Sequence, residues 1–568
     1  MFDIKLIDKR YQKSLEERRL WEDLWQEIAT YVLPRKSNIN IERFPGQKQT
    51  KDIFDSTAPN ALELLGASVY GSMTPSSVRW FSLKMRQKQQ NEVDDIREWL
   101  EEAQDMMLLA YRQSSFNLAV NEFLIDVAGF GTGAMLVEER KGPASFNGFQ
   151  FTTLAPGKYS IAEGNDGSVD TLWREFKLPL RLIMKREWKL SPDMMAAKKD
   201  NKLDAEYEII HVVLPREDFD SRKVDSENMP YASIYYDKKQ KVLLNESGFR
   251  EMPALVARWA KTSGETYGRG RGHIALPDIK TLNKAKELEL GAWAKMVDPP
   301  LYVLDDGVVG NVDTRPGELT VVRDLNAIRE QTFNPRFDLT NLKASELKDS
   351  IRKSFFSDLI ILRDGPQMTA TEVLQRTQEV QRLLGPTYGR FEHEFLNPFI
   401  ERTFSLMFYA GALPPLPEAL EQLLAEGDAN IDIEYEGPLA MAQRSQDTQA
   451  IQQLIALGNA LAQATGDSGA LDILKVDSAM RESGHVWGAR SSVLRSEEEL
   501  AQFKAAKQQA AQAAAEATEK RENAKALGTM TPAIKEMNEQ EQSAMPPIDP
   551  EDPENEASFD EDPDEVAA

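Results

Sequence analysis

The 568-residue chain has no cysteine, so it can form neither a disulfide framework nor a thiolate metal site, which fits a protein made and used in a reducing cytoplasm. Histidine is nearly as scarce. His211, His273, His393 and His485 each stand alone, without a second histidine at helical or hairpin spacing to make a zinc- or iron-type ligand pair. Long apolar runs are missing too. Charges interrupt the N-terminal stretch MFDIKLIDKRYQK, and no segment approaches the roughly 20 apolar residues of a membrane span, so neither secretion nor insertion is expected. Basic residues are the minority: 68 Lys and Arg against 92 Asp and Glu give a net charge of −24. From Glu541 onward there are eleven acidic residues and no Lys or Arg, which leaves −13 for residues 1–540. A body of this sign grips nucleic acid poorly, because tight non-specific binding needs many cations to displace counterions from phosphates.

What is present is ordinary for a folded chain, 41% hydrophobic residues, in a length beyond the point at which a single core stops growing. Several packed regions are therefore expected. Leu20, Trp21, Leu24, Trp25, Ile28, Tyr31 and Val32 recur at three- and four-residue spacing until Pro34, which predicts a helix that buries both tryptophans. A second helix is predicted over 57–71, with Asp55, Ser56 or Thr57 as its cap and Pro59 in its first turn. A third helical stretch covers about 93–128 with a break near Ser114, and ends in Gly129, Gly131 and Gly133. Those glycines follow a helix and precede a strand-like run, the reverse of a phosphate-cradling loop. No Lys followed by Ser or Thr is there, so they read as a tight helix-to-strand turn.

Residues 147–260 change to short alternating runs at 149–154, 170–176, 208–214, 234–236 and 242–245, separated by turn signals such as Gly164 to Gly167. This region is β-rich, with a helix expected over 180–190. Tyr267 to Gly272 form a glycine-rich joint. A helix is then predicted over 276–296, ended by Asp298, Pro299 and Pro300, followed by a strand-and-turn module with runs at 301–304 and 319–322. A second helix is predicted over 339–359, and Arg363, Asp364, Gly365 and Pro366 break it before a longer helical pattern at 369–410. Two helices of about 20 residues, roughly 30 Å each, thus flank a β module of about 40 residues. Alone, such a hairpin exposes much of its apolar stripe, so its natural setting is a ring of side-by-side copies. Beyond Ala440 the pattern is helical and increasingly rich in Ala and Gln, and the prolines among carboxylates after Pro546 predict a disordered tail.

The order of several residue groups resembles the portal, or head-to-tail connecting, proteins of T7-like podophages over nearly the whole chain. These are Arg18, Trp21, Trp25, Ile28, Tyr31 and Pro34, then Asp55, Ser56, Thr57, Ala61, Gly71 and Pro75 leading to Arg79, Trp80 and Phe81. They continue with Gly131, Gly133, Ala134 and Met135, with Tyr267, Gly268 and Gly270, and with Met368, Thr369, Ala370, Thr371, Glu372 and Val373. The resemblance implies a predominantly helical α+β subunit of a dodecameric ring at the capsid vertex of the virion, not an enzyme and without a cofactor, assembled in the host cytoplasm. DNA would pass through the ring during packaging and ejection, and an acidic bore suits a duplex that must slide. Mapped by order, the wing takes 1–274, the first stem helix 275–297, the clip 298–337 and the second stem helix 338–359. A channel loop and long wing helix take 360–436, the crown 437–500, a C-terminal helical segment 501–545 and the acidic tail 546–568. The implied partners are the terminase large subunit and then the tail adaptor at the clip, the major capsid protein and scaffold, internal core proteins, and double-stranded DNA held weakly and without sequence preference. No membrane is implied.

In that family the break after the second stem helix projects into the channel, which here places Arg363 and Gln367 there, one arginine per subunit making a ring of positive charge. By composition alone the same residues are a surface helix-helix turn. Lys343, Lys348, Arg352 and Lys353 on the second stem helix, and Lys280, Lys284 and Lys295 on the first, line the channel or else lie on a solvated or subunit-facing surface. Glu287, Glu289, Glu346 and Asp349 are interleaved with them, and helix periodicity does not choose between faces. At the clip, Asp313, Arg315 and Glu318 offer polar contacts to successive partners, whereas Asp305 and Asp306 read as local turn carboxylates. The rival classes are a packaging ATPase or nuclease, whose motifs are missing, and another virion protein such as a capsid or scaffold subunit. A β-rich region and a helix, β tip, helix insertion weigh against a scaffold.

Overall fold

The computed structural model describes residues 2–306 apart from 42–43, 45, 77, 88–89, 91–92, 141, 143–145 and 220–224. It further describes 312, 320–324, 326–331, 337–360, 383–427, 430–436, 453–457, 460, 480, 499–500, 502–516 and 518. Residues 1–489 form one compact unit and 490–568 another, whose described part is an exposed helical run over 502–516.

Asp3 caps the first helix by accepting from the Lys5 N–H at 2.9 Å, so α1 (Ile4–Tyr31) begins well before the tryptophan stripe. Trp25 and Ile28 are buried, with Trp25 edge-on to Tyr267 at 5.0 Å, whereas Trp21 is half-buried and Leu20 points to solvent at 83% exposure. The helix's length explains the difference: its N-terminal half buries Ile4, Ile7 and Tyr11 against a sheet, and Leu20 falls on the opposite face. Helices α2 (Thr57–Met73), α3 (Asp94–Arg112) and α4 (Phe116–Phe130) build the main core, α2 lying against α4.

Two antiparallel sheets follow. β2 (Thr132–Glu139) lies between β3 (Phe149–Leu154) and β9 (Ala254–Arg258). The second sheet is a meander of β4 (Tyr159–Glu163), β5 (Val169–Pro179), β6 (Glu206–Pro215), β7 (Tyr231–Asp237) and β8 (Leu243–Phe249). Its central strands are apolar without alternation, as in Ile209-Ile210-His211-Val212-Val213-Leu214, because both faces are covered. Ile210, Val212 and Ile234 meet the start of α1, while Ile209 and Tyr235 meet α5 (Leu180–Lys185) and α6 (Pro192–Lys199). The helix expected over 180–190 ends at Lys185, where the chain turns through Glu187 with φ +57°, and a second short helix that was not expected opens at Pro192.

Helix α7 (Arg271–Val297) packs along α8 (Phe337–Ser354), and the short strands β10 (Leu301–Val303) and β11 (Ile328–Glu330) pair between them. The partner of 301–303 is therefore Ile328–Glu330 and not the expected run at 319–322, of which only 320–322 are described. Helix α7 starts five residues earlier than its apolar pattern and carries Pro277 inside it. Helix α8 does not reach 359: Phe356 takes a left-handed φ of +57°, and α9 (Ser357–Ile360) restarts beyond it. That conformation costs a bulky L-residue roughly 1–2 kcal/mol. Residues 383–391 are helical, and a π-turn at Glu392–Leu396 leads into α10 (Asn397–Tyr409). Pro398 lacks the N–H that Glu394 would accept, which is where the ladder widens. After α11 (Glu418–Glu426), β12 (Ile431–Tyr435) returns to pair with β1 (Phe81–Met85), Phe81 opposite Tyr435.

The joint between α4 and β2 is a crossing of two backbones. Gly131 ends α4 with φ +85° and its N–H bonded to Val127 O, as the sequence reading of a helix-to-strand turn requires. Against it runs the 268–272 segment. A Cβ at Gly131 would collide with the Gly268 carbonyl, and one at Gly270 or Gly272 would sit 2.5 Å from the carbonyl oxygen of Ala128 or Gly129. Trp259 N–H donates to Gly131 O at 2.9 Å and Gly268 N–H to Thr132 Oγ1 at 2.8 Å. One residue from this crossing, buried Arg258 donates to Glu394 Oε1 at 2.8 Å, to Gly167 O at 3.0 Å and to Glu163, tying the π-turn and the β4–β5 hairpin to the same point.

Two expected outcomes follow from this packing. Gly270→Ala should destabilise the chain by about 2–3 kcal/mol, since backbones must separate, whereas Gly291→Ala, which meets nothing within 4 Å in exposed α7, should stabilise by about 0.5–1 kcal/mol. Urea unfolding of both variants checks the contrast. The second concerns Asp126, buried in α4 with Lys36 Nζ 2.6 Å away; burial outweighs that ammonium and raises its pKa to about 6. Because the folded value exceeds the unfolded one, this group's contribution to stability declines as pH rises from about 4 to about 6. Asp126→Asn should remove that slope, so the wild type should lose ground to the variant across this window in urea titrations.

Candidate functional site

The paired helices α7 and α8 form an arm whose root is locked by polar ties. Gly270 N–H donates to His273 Nδ1 at 3.0 Å in the first turn of α7, and burial lowers the His273 pKa to about 4, so the ring accepts as a neutral group. Ser350 of α8 donates to Asp278 of α7 at 2.6 Å. Asn283, buried within α7, accepts from the N–H groups of Phe54 and Asp55 at 2.8 and 3.2 Å, and its amide donates to Ile279 O. Asp55 in turn accepts from the Thr57 N–H at 2.9 Å and from Lys348 Nζ of α8 at 2.8 Å. Burial alone would raise the Asp55 pKa; the bonds from Lys348 and Thr57 prevail and hold it below the ordinary 3.8.

The cations expected along the arm occupy four settings. Lys348 belongs to this buried tie. Lys343 pairs with Glu346 at 2.9 Å, Arg352 with Asp349 at 3.3 Å and Lys284 with Glu287 at 2.9 Å, all one helical turn apart and solvent-exposed. Lys280 reaches across to Glu27 of α1 at 3.1 Å, while Lys295 and Lys353 are exposed. Exposed pairs of this kind hold each other by less than about 1 kcal/mol. Arg363 and Gln367, and the expected docking residues Asp313, Arg315 and Glu318, lie outside the described residues. Asn283 and Asp55 are the residues that sequence reasoning missed as a site. The available signal was an asparagine at a core position of an apolar helix, beside Leu282.

Toward its far end the arm turns apolar side chains outward. Leu288 is 62% exposed, Val297 84% and Leu342 58%, with Leu290 and Met296 also exposed. Among the described residues no group of three or more acidic or histidine side chains is placed to hold a metal, and no helix is long and apolar enough to cross a membrane.

A family model described as bacteriophage head to tail connecting protein matches residues 5–494. The chain belongs to that family. The chain is 31% identical over 464 residues to the probable portal protein of Bordetella phage BPP-1, a match covering 79% of this chain and 82% of that one. It is 27% identical over 541 residues to the portal protein of Salmonella phage epsilon15, covering 91% and 94%. The portal protein of Enterobacteria phage T3 matches at 25% over 232 residues, 38% of this chain and 39% of that one. The relation to podophage portals read from scattered residues therefore holds, and the connecting-protein family match encloses the whole arm.

The tie at the root predicts a difference among the arm's lysines. Lys348→Met should cost about 1 kcal/mol at neutral pH, an amount that begins to shrink as pH falls below the ordinary 3.8 and is lost only through the lower folded value of Asp55, while Lys343→Met should stay within about 0.5 kcal/mol. Chemical unfolding at pH 7 and pH 3 separates the two.

Proposed function

We propose that the chain is the portal subunit of a tailed phage: copies close into a dodecameric ring at one capsid vertex, and DNA enters and leaves the head through the bore. The observation that carries this reading is the arm. Its apolar side chains Leu288, Leu290, Met296, Val297 and Leu342 are solvent-exposed in the single chain, and standing arms side by side in a circle would bury them. Family membership supports the same arrangement. In this reading the arm is the stem, residues 298–337 the clip, residues 1–274 with the long helix after Thr369 the wing, and 437–500 the crown. Asp313, Arg315 and Glu318 meet the terminase large subunit and later the tail adaptor, and the wing faces the major capsid protein, scaffold and internal core proteins.

The DNA-facing residues of the proposal are Arg363 and Gln367 after α9, with exposed Lys343 and Arg352 on α8. Lys348 contributes less, because its ammonium is already neutralised by Asp55. A net-acidic chain carrying a thin ring of cations holds a duplex weakly and lets it slide. The protein's part is structural, and incubation with ATP and magnesium should yield no turnover.

Native mass measurement of the purified chain should give a closed ring, and Leu288→Glu with Leu342→Glu should break it into smaller species. A monomer under all conditions contradicts the reading. Arg363→Glu should leave the ring intact but reduce the fraction of packaged particles that retain DNA; unchanged packaging and retention removes Arg363 from the channel.

A further inference from the structure

The segment Ile351-Arg-Lys-Ser-Phe-Phe-Ser-Asp-Leu-Ile360 contains neither glycine nor proline, and nothing in it stops a helix. Yet α8 ends at Ser354, because Phe356 adopts φ +57° and its N–H takes the Lys353 carbonyl at 3.1 Å, which a continuous helix would give to Ser357. Among the described residues, the other non-glycine positions with positive φ are Glu187, Asn201 and Lys241, all polar turn residues; a bulky aromatic there needs a cause.

A contact that favours the bend lies across the joint, alongside the Ser357 hydroxyl, which donates to Arg352 O at 3.0 Å. The Arg271 guanidinium, in the first turn of α7, sits 3.9 Å over the Phe356 ring and 6.0 Å from the ring of Trp259. Among the described residues no carboxylate pairs with Arg271, and its buried Nε has no partner. A partly desolvated guanidinium without an anion gains from an aromatic face, and Phe356 presents that face from the left-handed conformation. Two terms of similar size thus oppose each other: local helix preference favours a straight rod, and the cation-aromatic contact favours a bend.

We infer that Phe356 is a two-position joint, bent while its ring lies on Arg271 and straight, with α8 and α9 merged into one helix, when that contact is lost. In the straight position Phe356 is right-handed helical and the Ser357 and Asp358 amides take the carbonyls of Lys353 and Ser354. Helix α9, which packs against α2, is then re-aimed relative to the arm. The inference stands on the single chain and does not depend on the ring.

Hydrogen exchange of the full chain, read on a peptide spanning 353–360, tests it. Arg271→Gln and Phe356→Ala each remove the contact and should slow exchange of the Ser357 and Asp358 amides about tenfold, as continuous-helix bonds form. Phe356→Gly also removes the ring but tolerates the left-handed conformation and disfavours helix, so its exchange should slow less than in Phe356→Ala. Unchanged exchange in β6 and β7 confirms an intact fold. Should Arg271→Gln disturb it, the alanine and glycine variants, which leave Arg271 in place, suffice. Equal rates in those two, or faster exchange in Phe356→Ala, overturns the joint.

Discussion

The crossing of Gly131 with Gly268, Gly270 and Gly272 sets what the rest of the unit can do, because it brings peptide planes together where a side chain would hold them apart. Four elements converge there: the end of α4, the start of β2, the extension of β9 through Trp259, and the first turn of α7. Ile28 of α1 closes over Gly272, and Arg258 carries the contact outward to the β4–β5 hairpin and the π-turn before α10. The helical core, both sheets and the arm thus share one origin made of backbone. A backbone contact has no rotamers to relax, so a displacement at this point moves whole elements.

The arm inherits its direction from that origin and is braced once more by Asn283, Asp55 and Lys348. Beyond the brace, α7 has almost no burial of its own, and Leu288, Met296 and Val297 meet solvent. In the proposed ring, a neighbouring copy would cover this bare far half. The charge pattern agrees with a conduit: the arm's exposed cations sit beside carboxylates, and the chain's net charge repels phosphate overall.

Much of this was legible in the sequence where local signals and tertiary needs agree. Gly129, Gly131 and Gly133 after a helical pattern gave the turn, alternating runs gave β3 and β5 to β8, and the paired helical patterns gave the arm. The misses lie where distant partners decide. Phe356 looks like an interior helix residue until Arg271 is known to face it. The strand at 431–435 alternates Ile431, Ile433 and Tyr435, but its partner is some 350 residues earlier at Phe81 to Met85, out of reach of any local pattern. Leu20 shows the converse, since an apolar residue at the right spacing remained outside because the helix was longer than its stripe. Lys348 was visible as a cation and invisible as Asp55's partner.

The most direct test of the crossing as the origin of the fold is residue-resolved hydrogen exchange of the amides of Trp259, Gly268 and Arg269, which bond to Gly131 O, Thr132 Oγ1 and Ala260 O. The account predicts that these amides exchange only when the whole unit unfolds, with the same denaturant dependence as the β6–β7 core. Exchange through a separate, smaller opening that leaves β6 and β7 protected would contradict it.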